Sequence, residues 1–154
     1  MKNEMKKKNN KGFSLVELIV VIAIMAVLMV VLAPAMLRYV EKTREQKDDS
    51  AVSEARNAVE LALAQEDINT ALGGATTVTV TVKGSNGEIT ASATGGTSPD
   101  TTKLLADVKA TVGDTISMSS KSRKADTYVI TAEYKPNREA YVVNGLWNSE
   151  KPKS

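Results

Sequence analysis

One carboxylate stands inside the most apolar stretch of the chain. Glu17 is the only charged residue between Phe13 and Leu37, and a charge at a membrane centre costs roughly 2.5 to 3.5 kcal/mol even on insertion scales. Little else in the sequence has the equipment for covalent chemistry. The chain has no His and no Cys. The commonest general base, the commonest metal ligand, disulfides, thiolate sites and cysteine-linked lipids are therefore all excluded. Ser and Thr are abundant, but no imidazole is present to activate them, and no glycine-rich phosphate loop or metal-spaced carboxylate group occurs. The chain is expected to be no enzyme and to need no cofactor or metal.

Glu17 is positioned by a helix long enough to cross a bilayer. Phe13 to Ala33 is 21 residues, which at about 1.5 Å per residue spans roughly 30 Å, the thickness of a hydrocarbon core. Before it, "MKNEMKKKNNKG" holds five lysines and one glutamate, a net +4; the whole chain is at +2, so the remainder is at 2 − 4 = −2. The basic pI belongs to the N-terminus, and nucleic acid is not expected as a primary partner. The lysines keep the N-terminus in the cytoplasm and put the body outside. An ordinary secretory signal is the competing reading, since "APA" at 33–35 imitates a small-x-small cleavage site. That reading leads to a membrane-anchored or secreted binding domain that does not polymerise. It leaves Glu17 unexplained, and the run is longer than the usual ~7 to 15 apolar residues of a signal.

The stretch "KGFSLVEL" resembles the processing site of type IV prepilins and related pseudopilins: a short basic leader ending in Gly12, an aromatic at Phe13, Glu17 four residues on, then an apolar helix. The resemblance covers about residues 6–40. It implies that a membrane prepilin peptidase/methyltransferase cuts between Gly12 and Phe13 and N-methylates Phe13. The cut creates an amine one helical turn from Glu17. In related filaments, the resemblance implies, the glutamate meets the amine of a neighbouring subunit. A buried charge is favourable only when paired, so such a pair would fix axial register. Pro34 should kink or loosen the helix, and related pilins often bend or melt there. The implied partners are identical or related pilin subunits, the membrane assembly machinery, and the cytoplasmic membrane before assembly. The implied roles are a structural subunit of a type IV pilus or pilus-like filament, a minor pilin, or a secretion or competence pseudopilin.

Beyond Pro34 the helix continues as an amphipathic one. Val52, Ala55, Val59, Ala62 and Leu63 fall at three- and four-residue steps. The earlier Arg38, Glu41, Lys42, Arg44, Glu45, Lys47, Asp48 and Asp49 are charged on most sides, either a solvated face or intersubunit charge matching. "LGG" at 72–74 should end the helix. The expected divisions are a cleaved leader 1–12, a spanning or filament-core helix 13–35, an amphipathic helix 36–70 and a β-rich extracellular body 71–154.

In that body "TTVTVTVK" and "EITASAT" read as a hairpin turning on Asn86-Gly87, with Val82 opposite Ala91 and Val80 opposite Ala93. "SPDTTKLLADVKATVG" reads as a helix capped by Ser98, with Pro99 first and Gly113 at its end. "DTISMS", "DTYVITAEY" and "EAYVVNGLW" read as further strands, the last two joined by "KPNR". The fold class is α+β: a long N-terminal helix, half membrane-spanning and half amphipathic, packed on an antiparallel β-sheet in a pilin-like arrangement. Asp100, Asp107, Asp114 and Asp126 are too scattered for a calcium loop. Lys121, Arg123 and Lys124 form a basic patch, either a solvated loop or a contact for an anionic surface, while Tyr141 and Trp147 read as core.

Overall fold

The computed structural model describes residues 13–150. The expected leader 1–12, Gly12 included, lies outside the described residues. Helix α1 runs Leu15–Leu63 without a break at Pro34. The chain divides into two compact units, one up to Tyr39 and one from Val40 onward. In the first, large apolar side chains from Phe13 to Tyr39 are exposed, as on a helix apolar all round.

In the second unit the stretch of α1 with helical periodicity buries the face read from the sequence. Val52, Ala55, Val59, Ala62 and Leu63 are all buried. They share one core with Val78, Val80, Val82, Ile130 and Ala132 of a four-stranded antiparallel sheet. The strands are β1 (Thr77–Lys83), β2 (Ile89–Thr94), β3 (Thr127–Lys135) and β4 (Ala140–Trp147), in spatial order β2-β1-β3-β4. The fold is thus α+β, consistent with a pilin-like fold.

The amphipathic helix does not reach residue 70 unbroken. It ends at Leu63 and α2 (Glu66–Ala71) follows. The reason is angular. At about 100° per residue a straight helix would put Ile68 some 140° from Leu63 and Leu72 opposite it, whereas the turn at Ala64–Gln65 lets both be fully buried. "LGG" does close α2, with Gly73 and Gly74 at φ 57° and 75°.

The first hairpin is shifted by two residues from expectation. Val82 pairs with Ile89, Val80 with Ala91 and Val78 with Ala93. A slip of two keeps every side chain on its face, so the core was read correctly and the loop was not. Gly84 to Gly87 form the loop because Gly84 N–H is drawn to Asp126 C=O (2.9 Å) and Gly87 N–H to Lys83 C=O (2.7 Å). Helix α3 starts later than expected, at Thr102–Val112. Ser98 is not its cap; it stands at φ 52°, and Asp100 Oδ1 accepts from Thr102 N–H at 2.8 Å. The helix packs against β2 and α2, burying Leu104 and Val108, and Gly113 ends it at φ 93°.

"DTISMS" is not a strand. It makes one isolated bridge, Thr115 to Glu88, and buries Ile116 and Met118. The N–H groups of Ser119 and Ser120 turn instead to a side chain of α1. "KSRK" forms the short helix α4 (Lys121–Lys124). Glu139, expected to open the last strand, lies in the β3–β4 loop at φ 51°.

Candidate processing and assembly site

Ser14, Leu15, Val16 and Glu17 open α1, and their types are those of a capping box: a hydroxyl residue, then a glutamate three residues later. The side chain of Glu17 reaches back, its Oε2 accepting from Ser14 N–H at 2.9 Å, while Ser14 C=O accepts from Leu18 N–H at 3.2 Å. The carboxylate is therefore held at the first turn of the helix, where the unpaired N–H groups and the positive end of the helix dipole favour a negative charge. Phe13 immediately precedes it and is 92 % exposed. Glu17 and Phe13 are thus brought to the same helix end; Gly12 lies outside the described residues. The capping role of Glu17 is a function that the reading of the sequence missed, although S-x-x-E before an apolar run was there to be seen.

From Leu18 to Leu37 the first unit offers almost only apolar side chains, with no charge among them. Its most apolar 18-residue window has a mean hydropathy of 3.2, and length and composition suffice to cross a membrane. Pro34 lacks the N–H that would bond Val30 C=O four residues back, so one ladder bond is missing there by covalent structure.

The charged stretch of α1 in the second unit is neither a bare solvated face nor a set of free charges. Glu41, Glu45 and Asp48 recur at four- and three-residue steps and form one acidic stripe, and the segment Ser119–Arg123 lies on it. Glu41 accepts from Lys121 N–H, and Glu45 from Ser122 Oγ at 2.6 Å. Asp48, only 1 % exposed, accepts from Ser119 N–H (2.8 Å), Ser119 Oγ (3.0 Å) and Ser120 N–H (2.7 Å). Burial pushes the Asp48 carboxyl up, but the hydrogen bonds from Ser120 and Ser119 outweigh it and hold it below the usual carboxylate range.

Arg123 completes the latch. Its guanidinium pairs with Asp49 and with Glu150, each at 3.0 Å, and lies 4.4 Å from the ring centre of Trp147. Trp147 Nε1 donates to Asp49 Oδ1 at 2.8 Å. So of the basic patch, Arg123 is spent inside the molecule, while Lys121 and Lys124 remain exposed. Trp147 is core, and Tyr141 packs against the core with its hydroxyl donating to Ala75 C=O at 2.7 Å.

The scattered aspartates do separate work. Asp100 accepts from Thr102 N–H just ahead of α3, Asp107 accepts from Gln65 Nε2 at 2.9 Å, and Asp126 accepts from Thr127 N–H at 2.7 Å. They do not converge.

Comparison with known proteins agrees with this geometry. Residues 7–33 match the family model described as the prokaryotic N-terminal methylation motif. The chain is 30 % identical over 131 residues to the prepilin peptidase-dependent protein A of Clostridium perfringens (strain 13 / Type A), a span of 85 % of this chain and 84 % of that one. No solved structure matches the chain. With the basic leader, Glu17 at the helix start and the long apolar helix ahead of an α+β body, these similarities make the chain a member of the type IV prepilin and pseudopilin family.

Proposed function

We propose that this protein is a non-enzymatic structural subunit of a type IV pilus or pilus-like filament. A prepilin peptidase removes residues 1–12 after Gly12 and methylates Phe13. The subunit waits as a single-pass precursor in the cytoplasmic membrane, N-terminus inside and body outside, and then polymerises through its N-terminal helix into an extracellular filament. The observation that carries this reading is the state of the first helical turn. Glu17 is the one charge between Phe13 and Leu37, a stretch otherwise apolar and exposed, and it is held at the same helix end as Phe13, whose amine becomes free on cleavage.

The physical sequence follows from those residues. Cleavage removes five lysines, so the mature helix end is no longer tied to the cytoplasmic face by them. The new amine and Glu17 are opposite charges at the edge of an apolar medium, and each gains by meeting a counter-charge on a neighbour. The apolar side chains then exchange lipid for neighbouring helices.

Mass spectrometry of the mature N-terminus tests the first step. N-methylated Phe13 is expected; an intact Met1 or a chain starting at Met36 would refute it. Gly12→Val should stop cleavage by obstructing backbone approach to the peptidase, leaving full-length precursor in the membrane. The second step is tested by recovery of the protein in sheared surface filaments.

A further inference from the structure

In the spatial order β2-β1-β3-β4 the sheet has two edges, β2 and β4, and an unpaired strand edge is a template for a further strand. The chain guards the first of these itself. Glu88, just ahead of β2, bridges to Thr115, Thr101 Oγ1 donates to Ala91 C=O at 3.4 Å, and α3 packs against the strand. Nothing comparable guards β4 among the described residues. Tyr134 N–H bonds Thr76 C=O beside β1, so by the alternation of an antiparallel ladder the even-numbered residues of β3 turn to β1 and the odd-numbered ones to β4. Their partners there are Ala140, Val142, Asn144 and Leu146. Tyr141, Val143 and Gly145 therefore turn their N–H and C=O groups outward, and no described residue meets them. The strand also lacks the usual protections, since Ala140–Trp147 holds no charge, no Pro and no break in its register with β3. On the sheet face away from α1, the positions held by Thr77, Thr79 and Thr81 on β1 are held on β4 by Val142, Asn144 and Leu146. Leu146 is 47 % exposed, so that face turns apolar toward its unguarded edge.

We propose that β4 pairs antiparallel with β4 of a second copy of the chain, the two strands centred on Asn144. Each body has a single unguarded edge, so edge-to-edge pairing of copies joins β4 to β4 and is two-fold. One register suits the side chains. Centred on Asn144, it sets Val142 against Leu146 twice and Asn144 against Asn144 on the outer face, and apolar cross-strand pairs are the ones that stabilise a sheet. Centred on Val143 it would set Val142 against Asn144, and centred on Gly145 it would set Leu146 against Asn144. The backbone agrees with the first, because the outward groups of Val143 then meet those of Gly145. A two-fold contact closes with two copies and does not lengthen a filament, so the failure of this pairing leaves the filament reading untouched.

The absence of native Cys makes the test clean. Asn144 is exposed and bonds its backbone to β3, so its two copies would meet as a non-hydrogen-bonded pair with Cα atoms about 4.5 Å apart, within disulfide reach. Two copies of residue 146 would stand four residues apart along the strands, about 14 Å, beyond that reach. Full-length Asn144→Cys, in membranes oxidised with diamide, should therefore give a disulfide-linked dimer at least tenfold above Leu146→Cys and above Ser92→Cys, which is exposed on β2. Monomer alone from Asn144→Cys, as when a strand of another protein or of the same chain occupies the edge, would overturn the proposal. Equal yields from the three variants would overturn it too, as random collision. Should Asn144→Cys not accumulate, Val142→Cys and a tagged Leu146→Cys are produced together. A heterodimer exceeding either homodimer supports the pairing, and its absence overturns it.

Discussion

Glu17 has two tasks that a single substitution would confuse. As the closing glutamate of a capping box, three residues after Ser14, it satisfies Ser14 N–H, a contribution of about 0.5 to 2 kcal/mol by analogy with other caps; as a charge it can pair with an amine, and breaking such a pair costs about 3 to 5 kcal/mol. Glu17→Gln keeps an acceptor oxygen and loses the charge, whereas Glu17→Ala loses both. If the charge directs assembly, both variants should be cleaved as well as wild type, and both should yield filaments reduced by two orders of magnitude or more. Recovery of filaments from Glu17→Gln alone would assign the residue to capping. Wild-type yield from both would remove Glu17 from assembly altogether. The measurement is the cleaved fraction in membranes against protein in sheared filaments, with the variant as the only copy. Asp48 is the opposite case, a buried carboxylate whose partners lie in its own chain. Hydrogen bonds from Ser120 and Ser119 outweigh its burial and hold the carboxyl below the usual carboxylate range in the folded protein, so its stabilising contribution is complete above the unfolded value and is lost as pH falls through the folded one. Asp48→Asn turns an amide toward N–H donors and should destabilise the body by ~1 to 3 kcal/mol at pH 7. It should also flatten the acid limb of the stability curve below pH ~4, read from urea melts across pH. An unchanged acid limb would show that other carboxylates control it.

At the scale of elements, what could be read from the sequence was what repeats locally. The apolar face Val52–Ala55–Val59–Ala62 was legible because period and burial coincide, and the strand faces were legible because alternation survives a two-residue slip. The end of α1 was not, since its break answers to where Ile68 and Leu72 must go rather than to any Gly or Pro. The same limit applies to α4. The acidic stripe Glu41–Glu45–Asp48 is visible as a period, but the segment that covers it lies more than 70 residues away, as with Ser119 and Asp48, and nothing local announces it. The latch makes a prediction of its own. Arg123→Ala removes two ion pairs and the contact with the Trp147 ring and leaves Asp49 with Trp147 Nε1 as its remaining partner. The side chain is only 14 % exposed, so the loss should be ~1 to 3 kcal/mol, seen as a lower thermal midpoint. A melt unchanged within about a degree would mean that α4 docks without its arginine. Gly145→Ala should weaken the same corner for a different reason: an added Cβ would come within 2.2 Å of the Tyr128 hydroxyl.

For the whole molecule the division at Tyr39 and Val40 makes the second unit a candidate for independent folding, because it holds every buried apolar residue of the core from Val52 to Trp147. The sequence alone suggests a starting point near Thr43, because the sheet and the amphipathic half of the helix can bury one another without the anchor; the structure shifts that boundary toward the N-terminus, since Glu41 accepts from Lys121 N–H. A chain of residues 40–154 should therefore be a soluble monomer with a cooperative thermal transition. Starting at Thr43 should preserve the fold and lower its stability by only ~0.5 to 1.5 kcal/mol, because the freed N–H is at an exposed position and can turn to water. Starting at Ala51 removes Asp48 and Asp49 together. Ser119 and Ser120 then lose the acceptor that folds their segment, Arg123 and Trp147 lose theirs, and the product should be unfolded or aggregated. Circular dichroism with sedimentation velocity orders the three: equal stability of the chains from Val40 and Ala51 would show that the acidic stripe is dispensable, and aggregation of the chain from Val40 would show that the body needs the apolar half of its helix to fold.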